Sequence, residues 1–163
     1  MLQDNDEIEI TSGGQRWLAR WHPANDAPDG HPHGSAGICV PGGAEVVFVS
    51  KDGLSWDFPA GRPERNESWE DTLRREMREE ACVLVQEPKL LGFSRGRCIK
   101  GPEQGLVLVR AIWRTNVRLL PWKADFEMIA RKTVPFHQAI SLTPSAYHAV
   151  WKRAFAAAGL PLE

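Results

Sequence analysis

The sequence predicts an α/β fold, and three observations carry that expectation. Runs rich in Val and Ile, separated by glycine and proline turns, recur along the chain as strands do. One strongly charged segment with helix-capping chemistry interrupts them. A second, amphipathic segment closes the chain.

Taken in order, residues 8–11 and 15–21 flank a Ser12-Gly13-Gly14 turn and form a hairpin, with Trp17, Ala19 and Trp21 alternating along one apolar face. Residues 22–35 (HPANDAPDGHPHGS) are dense in Pro, Gly, Asn and Asp, whose backbone preferences suit a surface loop. Residues 37–40 and 45–50 flank a Pro41-Gly42-Gly43 turn and read as paired strands, with 54–58 as a further short one. Two more strands, 89–100 and 106–114, flank the turn at 101–105. For the last helix, Thr143 is the expected N-cap, Pro144 the first helical residue and Gly159 the stop. Its stripe of Tyr147, Val150, Trp151, Ala154, Phe155 and Ala158 has the spacing of a core-facing side. The organisation expected is a single compact domain: a hairpin-and-loop extension over residues 1–35 and the main body over 36–163.

Composition narrows the classes of function. A chain of 163 residues with 42% hydrophobic and 25% charged residues has room for one globular core and is neither fibrous nor disordered. With 20 Lys+Arg against 21 Asp+Glu the net charge is −1, so the global positive field of a nucleic-acid binder is missing. No run approaches the roughly 18 apolar residues of a membrane span, and the leading MLQDNDEIEI is acidic where a signal peptide is basic and then apolar. Cys39, Cys82 and Cys98 are odd in number and too far apart for a CxxC pair, which suits reduced thiols. A cytoplasmic protein without membrane contact is the expectation.

The informative stretch is residues 61–83, GRPERNESWEDTLRREMREEACV. Ser68 is placed as N-cap with Asp71 at the third helical position, and the helix runs to about Ala81. With Leu73 set at zero and about 100° per residue, Trp69 and Met77 flank it at about −40° and +40° as the core stripe. Glu80, Glu76 and Glu79 then fall at about −20°, −60° and −120°, overlapping or bordering that stripe. Carboxylates so placed repel one another, and a hard divalent cation with oxygen ligands, such as Mg²⁺, would compensate them. The competing reading is a salt-bridged surface helix, in which Arg75 pairs with Glu79.

The spacing of Gly61, Glu67, Arg75-Glu76-Met77, Glu79-Glu80 and Cys82-Val83 resembles the Nudix box, G-x5-E-x7-R-E-U-x-E-E-x-G-U, with U aliphatic. It departs once, with Cys82 where the family has glycine, which bears on the turn after the helix more than on the ligands. The lead-in Phe58-Pro59-Ala60-Gly61 is also similar, with Ala60 replacing a glycine. The resemblance implies an α/β/α sandwich with a mixed β-sheet over residues 37–159, the N-terminal β-hairpin being extra. It implies hydrolysis of a diphosphate linkage in a nucleoside diphosphate derivative (ADP-ribose-like, a nucleoside triphosphate or related), with water attacking phosphorus and Mg²⁺ or Mn²⁺ as cofactor.

By position in the box, Glu79 and Glu80 would be metal ligands and Glu76 a ligand or the base that orients water. Arg75 would hold a glutamate in place, the Ala60 backbone carbonyl would be a further ligand, and Glu67 would support the loop. Family members often recruit another acid after the box: Glu127 is the first candidate here and Glu103 the second, against a solvent-facing Glu127 paired with Arg131. His31 and His33 are weighed as metal ligands against incidental exposure, and Trp56 or Trp122 as a base-stacking surface against ordinary packing. A small nucleotide-type molecule is the expected partner, and the hairpin is a candidate dimerisation element. The alternative function is a non-catalytic Nudix-like domain that senses a nucleotide or mediates association, disfavoured because Glu76, Glu79 and Glu80 are all present.

Overall fold

A computed structural model of the chain describes residues 7–162. The first six residues, which carry most of the acidic leader, lie outside the described residues. Strand β1 (Glu7–Ser12) turns back on β2 (Gln15–Pro23) through Gly13 and Gly14, with φ of +59° and +73°. Two successive positive φ values match the twist of a tight hairpin, which is why two glycines stand there. The hairpin is as expected, but it is no appendage: β2 pairs along its length with β6 (Val83–Lys100).

The chain continues through β3 (His31–Val40), β4 (Glu45–Ser50), the two-residue β5 (Ala60–Gly61) and α1 (Trp69–Ala81). After β6 come β7 (Val107–Leu119), β8 (Ala130–Pro135), α2 (Phe136–Leu142), a 3₁₀ turn at Ser145–Tyr147 and α3 (His148–Ala158). Six strands form a mixed sheet in the order β1-β2-β6-β7-β3-β5, with β3 and β7 parallel, and β4 pairs with β8 in a second sheet. One apolar layer joins Leu73, Met77 and Ala81 of α1 to Phe93, Val109, Ala111 and Trp113 of the sheet. The opposite layer joins Trp151, Ala154 and Phe155 of α3 to Ile38, Ile112 and Phe58. The result is an α/β/α sandwich. No described helix is long and apolar enough to cross a membrane.

Four local expectations are corrected. Residues 37–40 and 45–50 are not partners: β3 is buried from Gly34 to Val40 and has β7 and β5 as neighbours, so β4 pairs elsewhere. The loop expected over 22–35 is shorter, because β2 reaches Pro23 and β3 begins at His31, where pairing to β7 outweighs the Pro/Gly composition. Residues 54–58 form no strand, only a single bridge between Val49 and Asp57. Thr143 does not cap α3; it ends α2, buried, with its hydroxyl donating to the Ile140 carbonyl at 2.6 Å, and α3 starts five residues later. The stripe of Val150, Trp151, Ala154, Phe155 and Ala158 is buried as expected, while Tyr147, expected to share it, is half-buried in the 3₁₀ turn before α3.

Candidate active site

Local chemistry fixes the helix that carries the acids. The Ser68 hydroxyl accepts the Asp71 N–H at 3.0 Å and the Asp71 carboxylate accepts the Ser68 N–H at 3.1 Å, a reciprocal cap that sets the first turn. Burial of Leu73, Met77 and Ala81 then fixes the helix's rotation, and with it Glu76 and Glu80 sink to 8% exposure while Glu79 stays half-buried. The helix ends at Cys82 with φ +53° and ψ +49°, the left-handed conformation for which the box has glycine. Its thiol sits 3.5 Å from the Lys123 carbonyl and 3.4 Å from the Lys123 N–H, contacts that offset the cost of a Cβ there. The Arg131 guanidinium caps this end of the helix, donating to the carbonyls of Ala81, Cys82 and Leu120 at 2.9–3.0 Å.

Arg75 organises the carboxylates. Its Nε and Nη2 hold both oxygens of Glu67 at 2.7 and 2.9 Å, its Nη1 reaches Glu76 at 2.7 Å and Glu79 at 3.1 Å, and Nη2 also donates to the Arg62 carbonyl at 2.8 Å. This paired fork pulls the Glu67 carboxyl down to about 2. Glu67 in turn accepts the Glu64 N–H at 2.6 Å and the Thr72 hydroxyl at 3.1 Å, tying the loop before α1 to the helix. Gly61 lies against Glu76: a Cβ there would stand 1.9 Å from the Glu76 carboxyl carbon. Gly34 has a matching role, since its own Cβ would strike the Gly61 carbonyl.

The electrostatics are those of a site short of positive charge. Burial pushes the Glu76 carboxyl up, and Glu79 and Glu67 add repulsion against the pull of Arg75. Burial also raises Glu80, with further repulsion from Glu76, Glu127 and Glu79. Glu80 Oε2 is buried and has no hydrogen-bond donor. Among the described residues no three His, Cys, Asp or Glu side chains converge as a preformed metal cage.

The other candidates divide. Glu127 is 71% exposed and pairs with Lys51 at 3.3 Å, close enough to Glu80 to raise it; its expected partner Arg131 is engaged at the end of α1 instead. Glu103 is held by Gln15 at 2.8 Å and lines a separate cavity, none of whose walls comes from α1. The ring of Trp56 is covered by Lys132 at 4.2 Å and that of Trp122 by Arg131 at 5.6 Å, so each has a cation on one face. His31 is exposed and His33 half-buried.

That cavity, of about 360 Å³, was not legible in the sequence. It lies on the α3 side of the sheet, walled by Trp17, Tyr147 and Trp151 and carrying Arg62, Arg110 and His33. Its residues come from β2, β3, β7, α3 and the loop before α1, so no local pattern announces it.

The fold and the glutamate-bearing helix define a hydrolase of the α/β/α sandwich type. The NUDIX domain model matches residues 31–157, and the chain belongs to the Nudix family of pyrophosphohydrolases, which act on nucleoside diphosphate derivatives. A pyrophosphohydrolase of Bacillus subtilis, BsRppH, has a similar structure at a TM-score of 0.72 and 18% identity, covering 94% of this chain and 96% of that one. MutT, from a study of the Aliivibrio salmonicida and Vibrio cholerae proteins, is similar at a TM-score of 0.57 and 20% identity, over 77% of this chain and 98% of that one. The Escherichia coli ORF135 protein follows at 0.58 and 17%, over 75% and 86%. No curated protein matches the chain by sequence.

Proposed function

We propose that this chain hydrolyses a diphosphate linkage in a nucleoside diphosphate derivative with Mg²⁺ or Mn²⁺ held by Glu76, Glu79 and Glu80. The observation that carries the reading is the buried, donor-free Oε2 of Glu80 beside Glu76, in a cluster whose carboxyls are pushed up by burial and mutual repulsion. An all-oxygen donor set of this kind suits a hard divalent cation that keeps several waters and needs no complete protein cage. The Ala60 carbonyl, on the two-residue strand beside Gly61, is the candidate backbone ligand. When bound, the cation would neutralise charge on the diphosphate oxygens and lower the pKa of an attacking water.

The chain's own residues supply orientation. Arg75 holds Glu76 and Glu79 from one side, so their free oxygens are presented in a fixed geometry. Glu76 is a third ligand or, where Glu79 and Glu80 hold the cation, the base that orients the attacking water. Glu127 stands at the exposed rim beside Lys51 and is proposed as an auxiliary acid that approaches with substrate. Release of phosphate or nucleotide from nucleoside tri- and diphosphates, dinucleoside polyphosphates, ADP-ribose and sugar nucleotides tests the reading. Turnover that needs Mg²⁺ or Mn²⁺ and stops on chelation supports it; turnover indifferent to chelation rejects it.

A further inference from the structure

Two chain segments meet beside the glutamate cluster, and the structure ties them together. β4 ends at Ser50, which pairs with Ala130 of β8, and the Ser50 carbonyl accepts the Ile129 N–H at 2.9 Å. Lys51 therefore comes to lie beside Glu127, with its Nζ 3.3 Å from Oε2. The backbone after Lys51 is pinned: the Asp52 carboxylate accepts the Leu54 and Ser55 N–H groups, each at 2.8 Å, and the buried Ser50 hydroxyl accepts the Gly53 N–H at 2.8 Å. The lysine is thus presented from a fixed turn.

Positive charge is divided across the site. Arg75 directs its donors to Glu67, Glu76, Glu79 and the Arg62 carbonyl, and none reaches Glu80. Glu80, at 8% exposure, keeps a donor-free Oε2. Among its charged neighbours Glu76, Glu127 and Glu79 repel it, while Lys51 attracts it. We propose that Lys51 is the resident counter-cation of the metal site: it occupies Glu127 and offsets Glu80 in the metal-free chain, and a divalent cation enters by displacing it. The lysine therefore sets how tightly the metal is held. Its pair with Glu127 is mostly exposed, and such pairs contribute little and open readily. A doubly charged ion at the same distance attracts a carboxylate about twice as strongly as an ammonium does, and it repels the ammonium. Lysine also suits a charge that gives way, since its flexible stem lets the ammonium withdraw while the turn stays in place. Arg75, held by three carboxylates, remains where it is.

This rests on the hydrolase reading for where the metal binds, but binding tests it without turnover. Mn²⁺ is titrated into the full chain without substrate, at low ionic strength where exposed charges are least screened, and the free ion is read from its electron paramagnetic resonance signal. Lys51→Met should bind Mn²⁺ at least about threefold tighter than the native chain, because a repelling charge is gone, and Lys51→Gln should do the same. Lys51→Arg keeps the charge and should stay within about twofold of native. Lys152→Met, at an exposed position of α3 across the sheet, loses the same net charge far from the acids and should leave the affinity unchanged. The rise in Tm on adding Mn²⁺ should likewise be larger for Lys51→Met than for the native chain. Native-like or weaker Mn²⁺ affinity in both neutral Lys51 variants, or an equal gain in Lys152→Met, overturns the counter-cation and leaves the hydrolase reading standing. No saturable binding by the native chain at millimolar Mn²⁺ overturns the metal site, and the counter-cation with it.

Discussion

Replacing Arg75 with Gln removes the fork that joins three carboxylates, and the structure lets the cost be worked out. Four contacts to carboxylate oxygens, at 2.7, 2.9, 2.7 and 3.1 Å, and one to a carbonyl at 2.8 Å are lost together. A hydrogen bond to a charged group contributes about 1.5–3 kcal/mol, and these share one side chain that is 20% exposed, so the sum is well below additive. A loss of about 2–4 kcal/mol at pH 7 is expected, which for a chain of this size lowers Tm by roughly 4–16 °C. Its pH dependence has a definite sign. The Glu67 carboxyl is depressed to about 2 in the folded chain, so its stabilisation is complete above the ordinary carboxylate range and fades as pH falls towards 2. Thermal melts of native and Arg75→Gln protein from pH 7 to pH 2.5 should therefore converge at the acid end. A Tm within a degree or two of native at pH 7, or a gap that stays constant down to pH 2.5, would refute the reasoning.

Three further outcomes follow from the same geometry. Gly61→Ala should fold but drive the Glu76 carboxylate from its place, lowering kcat by about tenfold or more, because the added Cβ would stand 1.9 Å from the Glu76 carboxyl carbon; a native kcat would show that Glu76 is not placed by this contact. Mg²⁺ or Mn²⁺ should raise Tm, and the rise should grow with pH above the ordinary carboxyl range, since the raised Glu76 and Glu80 carboxyls destabilise the metal-free fold as they ionise; a rise that shrinks with pH would contradict this. Cys82→Gly should change Tm by no more than about 3 °C, because relief of the left-handed backbone, about 1 kcal/mol, is offset by the lost Lys123 contacts and a more flexible unfolded chain; a large shift either way on thermal melting would show that one of these effects dominates.

What the sequence disclosed was local. Ser68, Asp71 and the stripe of Leu73 and Met77 sit within a few turns of one another, so cap, helix and the inward turn of Glu76 and Glu80 could be read from spacing alone. The contacts of Arg75 with Glu79, four residues on, and Glu67, eight back, belong to the same neighbourhood. Strand partnership did not belong to it. The short turn after β3 suggested a hairpin with β4, yet the partner of β4 is β8, some eighty residues on, and residues 115–142 carried no pattern strong enough to announce β8 or α2. Thr143 misled because Thr-Pro is start chemistry for a helix, while here Pro144, at ψ 131°, leads into a 3₁₀ turn. Arg110 was indistinguishable from other charged strand residues until β3, α3 and the loop before α1 enclosed it.

The most direct test is kcat of Glu80→Gln on the best-hydrolysed diphosphate substrate, at saturating Mg²⁺ or Mn²⁺, in protein shown by its melt to be folded. A fall of at least about a hundredfold is the predicted result. Turnover close to that of the native chain would contradict the claim that the buried glutamates of α1 carry the chemistry.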